Sequence, residues 1–361
     1  MSENYIKRSD LSIDGQGIFI YNRDVCNAYA RRKLMNIKQK TDALVNELEN
    51  VGIVPVIKLD NVEDAEKLAK ALRDGGINCA EVTFRAKGAD EVIRRMTKSY
   101  PDMLVGAGTV LTCEQADAAI KSGAKFCVAP GLNPKVVKHC LDKGIPFAPG
   151  LSSASEIEQA LELGLDFAKF FPAEQAGGLS YIKAVCGPYT TMRFMPTGGI
   201  TADNLNGYLA YKKIVCCGGS WIVPPALLNA GDWAGVTKLC REAIDKMLGF
   251  EMVHVGLNCA NPEEAESVAG EFETAFGFTK KVGNSSVFAS TYMEMMKKPF
   301  KGAHGHIAIA ANSVKRAIYQ LRLRGFEADE SSFKYNAEGI LNVAYLKHEF
   351  GGFAVHLVLK K

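Results

Sequence analysis

Apolar runs of strand length alternate with amphipathic stretches of helix length between residues 41 and 248. Leu44, Leu48 and Val51 recur at helical spacing and lead into the apolar run Ile53 to Ile57, a pattern that predicts a helix followed by a strand. The predicted strands lie at residues 53–57, 79–84, 104–107, 126–129, 146–148, 167–170, 193–195 and 214–217. The predicted helices between them lie at residues 62–73, 89–98, 114–121, 134–143, 154–163 and 201–209.

Strands that each lead into a helix predict an α/β fold of the (β/α)8 TIM-barrel type over residues 41–248. An open, doubly wound sheet is the alternative. The barrel is favoured because no Gly-x-Gly-x-x-Gly turn follows the first strand.

A different pattern begins after a helix predicted at residues 232–247 and a short joint at Leu248-Gly249. Apolar and polar positions now alternate with a period of two, which is typical of half-buried strands. The predicted order is strand 252–258, helix 263–276, strands 282–289 and 291–296, then strand 305–310, helix 313–324, and strands 341–348 and 353–359. We therefore expect a smaller α+β domain over residues 249–361, built from two βαβββ repeats.

Residues 1–40 do not join either pattern and are interpreted as an N-terminal extension. Residues 14–17 predict a turn and residues 18–21 a short strand. The extension is basic through Arg31, Arg32, Lys33, Lys38 and Lys40. We expect a solvated arm that lies on its own domain or on a neighbouring subunit; recognition of an anionic partner is the alternative.

Composition favours an ordinary two-domain globular protein. The chain has 361 residues, 47% of them apolar, and a formal net charge of +3, so no strongly basic block calls for nucleic acid. Its 10 cysteines show no Cys-x-x-Cys spacing, which favours a reduced, cytoplasmic location. Because no segment resembles a secretory signal or a membrane span, we expect a soluble protein without a membrane partner.

Chemistry-bearing residues follow the predicted barrel strands, at the end where barrel enzymes carry their active sites. Glu81 and Arg85 lie at the end of the second strand, and Thr109 follows the third. Lys169 lies on the sixth strand, among phenylalanines. An apolar wall disfavours an ammonium and favours the neutral amine, which attacks carbonyl carbons to form a Schiff base. A lysine that extends its head to water is the alternative.

Glycine pairs follow the last two strands, in Thr197-Gly198-Gly199 and in Gly218-Gly219-Ser220. Small residues let backbone N–H groups close around phosphate oxygens. A lysine nucleophile, a carboxylate, an arginine and a phosphate cradle together predict an enzyme that acts on a phosphorylated 2-keto acid through an imine.

Five ordered motifs between about residues 41 and 247 closely resemble the 2-keto-3-deoxy-6-phosphogluconate (KDPG) aldolase family, which includes 4-hydroxy-2-oxoglutarate (KHG) aldolases. The motifs are Glu81–Arg85, Gly106–Val110, Lys169–Glu174, Pro196–Ile200 and Gly218–Trp221. The resemblance implies a class I aldolase, an aldehyde-lyase that cleaves KDPG to pyruvate and glyceraldehyde 3-phosphate. Cleavage of KHG to pyruvate and glyoxylate, or of both substrates, is the alternative.

The same resemblance implies a role for individual residues. Lys169 corresponds to the Schiff-base lysine and Glu81 to the general acid/base. Arg85 and Thr109 would hold the carboxylate and carbonyl end of the substrate, and Phe171 and Pro130 would line the pocket. The implied phosphate site consists of Thr197, Gly198, Gly199, Gly218, Gly219 and Ser220. The family implies a homotrimer and no cofactor for the aldolase.

The C-terminal stretches His254–Leu257, Gly305–Ala308 and Gly351–Leu357 resemble the glyoxalase/bleomycin-resistance, or vicinal oxygen chelate, superfamily. The superfamily's metal ligands match His254, Glu294, His306 and His356, side chains that can bind a divalent transition metal such as Zn²⁺, Ni²⁺ or Fe²⁺. His356 stands where glyoxalases have glutamate. Two interpretations therefore stay open. One is a metal-dependent lyase or isomerase. The other is a metal-free module that binds a small ligand, shapes assembly or covers the opening of the aldolase barrel.

Overall fold

The computed structural model describes residues 11–13, 19–21 and 23–360. The turn predicted at residues 14–17 lies outside the described residues. The strands are β1 (Leu11–Ile13), β2 (Phe19–Tyr21), β3 (Ile53–Ile57), β4 (Cys79–Thr83), β5 (Leu104–Gly108), β6 (Cys127–Val128), β7 (Phe147–Ala148), β8 (Gly150–Leu151), β9 (Phe167–Phe170), β10 (Arg193–Pro196), β11 (Cys217–Gly219), β12 (Glu251–Asn258), β13 (Lys280–Val282), β14 (Ser286–Ala289), β15 (Met293–Met296), β16 (Gly305–Ala311), β17 (Ala328–Tyr335), β18 (Leu341–Phe350) and β19 (Phe353–Leu359).

The helices alternate with these strands. They are α1 (Arg23–Val51), α2 (Ala65–Asp74), α3 (Ala89–Ser99), α4 (Cys113–Lys121), α5 (Pro134–Asp142), α6 (Ala154–Glu162), α7 (Gly178–Val185), α8 (Leu205–Leu209), α9 (Pro225–Ala230), α10 (Trp233–Leu248), α11 (Pro262–Phe276) and α12 (Val314–Leu323). A short 3-10 helix, Val62–Asp64, precedes α2. Within the described ranges, none of these helices has the length and apolar composition needed to cross a bilayer.

Contacts divide the chain into two compact units. The first unit combines the described residues up to Leu48 with Val56–Glu66 and Ala80–Gly199. The second combines Glu49–Pro55 and Lys67–Cys79 with Ile200–Lys361. The expected domain boundary after residue 248 stays a prediction; at that point α10 ends and Gly249 adopts a left-handed conformation with φ 55°.

Helix α1 starts much earlier than the regular pattern suggested. It runs from Arg23, so the N-terminal extension expected at residues 1–40 includes the first part of this helix, while its boundary at residue 40 stays a prediction. In the part of the helix whose side chains are described, from Met35 onward, Ile37, Thr41, Leu44 and Leu48 are buried. Its basic side chains bind groups of the first unit: Lys38 pairs with Asp166 at 2.7 Å, and Lys40 donates to the Gly144 carbonyl at 2.8 Å.

Parallel strands form the framework of the first unit, and together with their helices they make a TIM-like α/β fold. The strand order is β3-β4-β5-β6-β7 in one sheet and β8-β9-β10 in another. The predicted strand at 146–148 leads into two short strands separated by Pro149, which has no N–H to donate to a ladder. Its carbonyl instead accepts a hydrogen bond from the Lys169 N–H at 2.9 Å.

The last parallel strand lies in the second unit. Cys217, Gly218 and Gly219 of β11 pair with Ile53, Val54 and Pro55 of β3. The strand predicted at 214–217 was therefore placed too early, because Ile214 ends a turn by donating to the Tyr211 carbonyl. Helix α8 is likewise shorter than the predicted 201–209.

Residues 249–361, here called the C-terminal domain, are mostly sheet. Their eight strands lie in the order β13-β14-β15-β12-β16-β19-β18-β17. Along the chain, a strand, a helix and three strands occur twice. Strand β17 was not predicted, because its sequence, Ala-Asp-Glu-Ser-Ser-Phe-Lys-Tyr, is mostly polar. The strand predicted at 282–289 is two strands joined by a turn in which Gly283 donates to the Ser286 carbonyl.

Candidate active site and candidate metal centre

Lys169 is buried in the middle of the first unit's parallel strands. On β9 it lies between Gly150 of β8 and Met195 of β10. Its Nζ donates to Glu81 Oε1 at 3.1 Å and lies 5.4 Å from the centre of the Phe171 ring. Because the residue is only 6% exposed, the lysine does not extend to water but faces a carboxylate.

Glu81 is fully buried on β4, with 0% exposure. Gly108 makes room for it: a Cβ at Gly108 would lie 2.4 Å from Glu81 Oε1. The second carboxylate oxygen, Oε2, is buried without a hydrogen-bond partner among the described residues. A buried oxygen in that state is costly, so the Lys169–Glu81 pair retains hydrogen-bonding capacity for a reacting molecule.

Arg85 is held at the end of β4 by a chain of hydrogen bonds. Its Nε donates to Thr83 Oγ1 at 3.2 Å, and the Thr83 hydroxyl donates to the Ile57 carbonyl at 2.8 Å. The Arg85 side chain is exposed. Its terminal nitrogens are thus presented at the strand end, in the geometry that suits a carboxylate.

Thr109 follows β5 in a strained conformation, with φ at 56°. A β-branched residue seldom adopts the left-handed region, and such strain concentrates at functional positions. Hydrogen bonds hold the backbone on both sides, from Phe84 N to Gly108 O and from Val110 N to Val128 O.

Pro130 and Phe171, the expected residues of the pocket wall, lie in the first unit, and each is close to the backbone of a glycine. A Cβ at Gly150 would lie 2.0 Å from the Pro130 carbonyl oxygen, so the ends of two strands meet at Pro130. A Cβ at Gly198 would lie 3.4 Å from the Phe171 ring, which brings Phe171 next to the expected phosphate loop. The peptide bond between Phe171 and Pro172 is cis.

The expected phosphate-site residues fall into two segments, one in each unit. In the first unit, Thr197 Oγ1 is buried without a partner among the described residues. Gly198 and Gly199 have φ values of 97° and 79°, which favour glycine. In the second unit, Gly218 and Gly219 belong to β11 and are followed by the exposed Ser220.

Four expected metal ligands of the C-terminal domain lie together on neighbouring strands β12, β15, β16 and β19. His254 Nε2 lies 3.2 Å from His306 Nε2, and Glu294 Oε2 lies 3.2 Å from the former and 3.1 Å from the latter. The ligand atoms of His254, His306 and His356 all lie within 4.8 Å of one another. The sequence positions 254, 294, 306 and 356 therefore form one cluster.

Electrostatics keep this cluster in a ligand-competent state. Burial opposes ionisation of Glu294, but hydrogen bonds from His254, His306 and Ser286 outweigh it and hold the carboxyl pKa well below its usual range. Burial, with His306 and His254 nearby, lowers the pKa of His356 to about 3. His356 is thus a neutral imidazole near pH 7, the form that binds metals.

Sequence reasoning missed the residues that support the cluster of His254, Glu294, His306 and His356. Ser286 donates to Glu294 Oε1 at 2.6 Å. The Tyr345 ring centre lies 4.7 Å from that of His356, and burial raises the pKa of Tyr345 to about 12. A Cβ at Gly256 would lie 2.0 Å from the His306 ring. Ser286 begins β14 and Gly256 lies within β12, but neither position in the sequence indicates a partner that is distant in sequence.

Comparison with known proteins identifies relatives of the parallel α/β part of the chain. The family model described as "Aldolase: KDPG and KHG aldolase" matches residues 44–239. A 2-dehydro-3-deoxy-phosphogluconate aldolase of Treponema pallidum (strain Nichols) is 51% identical over 197 residues, 55% of this chain and 94% of the relative. A KHG/KDPG aldolase of Escherichia coli (strain K12) is 44% identical over 193 residues, 54% of this chain and 91% of the relative.

Solved structures agree with these relatives. A KDPG aldolase from Legionella pneumophila, with pyruvate captured at low pH as a covalent carbinolamine intermediate, has a TM-score of 0.54 and 37% identity and covers 55% of this chain and 97% of that chain. The 2-keto-3-deoxy-6-phosphogluconate aldolase of Zymomonas mobilis ZM4 with 3-phosphoglycerate has a TM-score of 0.51 and 40% identity, and covers 55% of this chain and 94% of that chain.

The lowered pKa of His356 predicts that the metal-free protein loses stability in mild acid. Since the folded-state pKa of about 3 lies below the ordinary histidine value of about 6.5, the unfolded chain binds more protons between these two values. Stability should therefore fall as pH decreases through this window, by at most about 1.4 kcal/mol per pH unit for this group.

Thermal or urea unfolding of chelator-treated protein at pH 6.5 and pH 5 measures this loss. The variant His356→Gln should lose about 1 to 2 kcal/mol less than the native chain over that interval. His348→Gln, at an exposed histidine of the same domain, is the matched control and should behave like the native chain. An equal acid loss in native and His356→Gln protein contradicts the assignment.

Proposed function

The chain belongs to the KDPG and KHG aldolase family, and we propose that it is a class I aldolase that cleaves 2-keto-3-deoxy-6-phosphogluconate to pyruvate and glyceraldehyde 3-phosphate. The observation that carries the proposal is the buried contact of 3.1 Å between Lys169 Nζ and Glu81 Oε1. It joins a nucleophile and a proton acceptor where little water competes, as covalent catalysis by an amine requires.

Formation of the imine follows from this pair. Glu81 takes a proton from the Lys169 ammonium, and the free amine adds to the C2 carbonyl of the substrate. The resulting carbinolamine loses water to give an iminium. The covalent carbinolamine with pyruvate in the Legionella pneumophila enzyme supports this route.

Cleavage then needs one base and one electron sink. Glu81, through a water molecule, removes the proton of the C4 hydroxyl, the C3–C4 bond breaks, and its electrons pass into the iminium to form an enamine. Glu81 returns a proton to C3, and hydrolysis of the imine frees pyruvate. The iminium supplies the electron sink that a divalent cation provides in metal-dependent aldolases.

Binding is assigned to the surrounding residues. Arg85, tethered through Thr83, and the strained Thr109 hold the carboxylate and carbonyl end of the substrate. Phe171 and Pro130 line the pocket. Thr197, Gly198 and Gly199, with Gly218, Gly219 and Ser220, bind the phosphate. The buried, unpartnered hydroxyl oxygen of Thr197 supports this role, because such an atom gains most from a ligand.

The remaining parts of the proposal come from the sequence. They are an eight-stranded closed barrel, from the alternation of strands and helices, a cytoplasmic location, from the cysteine pattern, and a homotrimer, from the resemblance to the family. Pairing of the last parallel strand, β11, with the first, β3, supports closure of the barrel. KHG is the alternative substrate, favoured by the similarity to the Escherichia coli KHG/KDPG aldolase.

Replacement of the nucleophile should abolish both turnover and imine formation. We expect Lys169→Met to release no pyruvate from KDPG and to give no adduct with pyruvate after borohydride reduction. We expect Glu81→Gln to lower kcat by about 10² to 10⁴, since it removes a general acid/base.

Pyruvate release, assayed with a coupled dehydrogenase, and intact-mass measurement after reduction check both outcomes. Lys121→Met, at an exposed lysine of α4, is the matched control and should keep full activity and form the adduct. A reduced adduct at full yield in Lys169→Met would identify a different nucleophile.

The hydroxyl of Ser220 should distinguish the two substrates. If it donates to the substrate phosphate, Ser220→Ala loses one charge-assisted hydrogen bond of about 1.5 to 3 kcal/mol. The KM for KDPG should then rise by about tenfold or more, while the KM for unphosphorylated KHG stays unchanged. Steady-state kinetics with both substrates measure this, and an unchanged KM for KDPG would remove Ser220 from the phosphate site.

A second function is favoured by the geometry of the C-terminal domain. We propose that residues 249–361 form a glyoxalase-like module of two βαβββ repeats that binds a divalent transition metal through His254, Glu294, His306 and His356. The order of strands and helices, with the same five elements occurring twice, supports the module. Metal-dependent lyase or isomerase chemistry is the activity that the module would carry.

The donor atoms of His254, His306 and Glu294 are spaced like the ligands of a single ion. Nitrogen and carboxylate ligands that lie about 2.0 to 2.2 Å from one Zn²⁺ in a tetrahedral site are about 3.3 to 3.5 Å apart. The separations of 3.1 to 3.2 Å among His254, His306 and Glu294 are close to this value. A metal held there supplies Lewis-acid polarisation of a bound carbonyl or acidifies a bound water.

Protein purified without a chelating tag should contain about one transition-metal ion per chain, measured by elemental analysis. His306→Ala, which removes a central ligand, should lose the metal and the visible absorption of a Co²⁺-substituted sample. His348→Ala is the matched control and should keep both. Metal-free native protein, or equal metal content in His306→Ala, contradicts the metal site and leaves a metal-free ligand-binding module.

A further inference from the structure

A cleft of 720 Å³ lies in the second unit where the C-terminal domain meets residues preceding β3 and β11. One wall is helix α12 with the N-terminal side of the parallel strands, at Glu49–Asn50 and Leu209–Ile214. The other wall is the hairpin of β17 and β18, including Phe333 and Tyr335. The size is that of ordinary small-molecule sites.

Arg316 lines this cleft and carries a buried guanidinium. The residue is 7% exposed. Its Nε donates to the Glu49 carbonyl at 3.0 Å and its Nη2 to the Val215 carbonyl at 3.3 Å. The Glu49 carboxylate instead pairs with Lys315 at 2.7 Å. Within the described part of the chain, no carboxylate forms an ion pair with Arg316, although burial of a charge ordinarily requires one.

Further positive charge surrounds this guanidinium. The other basic side chains that line the cleft are Lys212, Lys315, Arg322 and Lys360, and the acidic ones are Glu49 and Glu330. Helix α12 begins at Val314 with Ser313 as its N-cap, so its positive end also faces the cleft. Lys315 pairs with Glu49, and Lys360 pairs with Glu251 at 2.9 Å. Arg316, Lys212 and Arg322 still outnumber Glu330, and an excess of cations together with N–H donors suits phosphate.

Aromatic side chains form the remaining wall. Tyr319, Phe333 and Tyr335 line the cleft, and Tyr335 is 62% exposed. Arg322 lies over the Tyr319 ring, with its guanidinium carbon 5.8 Å from the ring centre. Exposed rings beside stacked cations offer a surface for a planar group.

We propose that this cleft binds a small phosphorylated metabolite that carries a planar ring, of the size of a nucleoside monophosphate. Its phosphate contacts Arg316, Lys212 and Arg322, and its ring lies against Phe333 and Tyr335. The cleft uses none of the residues assigned to the aldolase or to the metal centre, so the proposal goes beyond both proposed functions.

Adenosine 5′-monophosphate is the probe, and binding to the full-length chain is measured by isothermal titration calorimetry. We expect one saturable site per chain with a Kd below about 1 mM, and no saturation with adenosine. The double variant Lys212→Glu/Arg322→Glu should weaken binding at least tenfold. These exposed residues are chosen because Arg316 also holds two backbone carbonyls, so its replacement would confound binding with stability.

Two controls are needed, one for the effect of charge alone and one for the aldolase's own phosphate site. Lys281→Glu/Lys298→Glu makes the same charge change at other lysines of the C-terminal domain and should leave the Kd unchanged. Both double variants should keep the native KM for KDPG. The proposal is overturned if the native chain shows no saturable binding of the probe, if adenosine binds equally well, or if both double variants weaken binding alike.

Discussion

The buried contact between Lys169 and Glu81 is the interaction on which the first unit depends. Each charge alone would cost several kcal/mol to bury, so each residue stabilises the charged form of the other. Their strands must therefore lie close, and the residue opposite the carboxylate must have no side chain. Gly108 meets that requirement, because a Cβ there would collide with Glu81 Oε1 at 2.4 Å. The strained Thr109 directly follows it.

Much of the parallel fold could be predicted from local sequence. Strands β3 and β9 have the predicted bounds, because Ile53–Ile57 is apolar throughout and Phe167–Phe170 is buried at every position, with Lys169 its one charged residue. Local signals were insufficient where another factor decides the structure. Pro149 separates β7 from β8 because it lacks an N–H to donate to a ladder. Helix α1 extends to Arg23 although the sequence before residue 41 has no regular apolar pattern. Strand β17 is mostly polar, so the pattern of apolar positions did not predict it.

The chemistry-bearing residues could be identified, but their supporting contacts could not. Residue type and strand position indicated Lys169, Glu81 and Arg85, and resemblance indicated the histidines. The hydrogen bond from Arg85 to Thr83 and that from Ser286 to Glu294 depend on side-chain directions at the strand ends. The cleft at Arg316 joins residues that lie more than a hundred positions apart, a distance over which periodicity carries no information.

Buried polar atoms that lack a hydrogen-bond partner within the protein indicate where another molecule can bind. Within the described ranges six buried side-chain atoms have none, and four of them belong to residues assigned to the two candidate sites: Glu81 Oε2, Thr197 Oγ1, His306 Nδ1 and His356 Nδ1. The other two belong to Asp166 and Gln320. Folded proteins leave few such atoms unsatisfied, since each costs about 1 to 3 kcal/mol. The four atoms occur at the Lys169–Glu81 pair, at Thr197 and in the histidine cluster. This distribution is expected if these polar groups are buried to bind another molecule and not only to stabilise the fold.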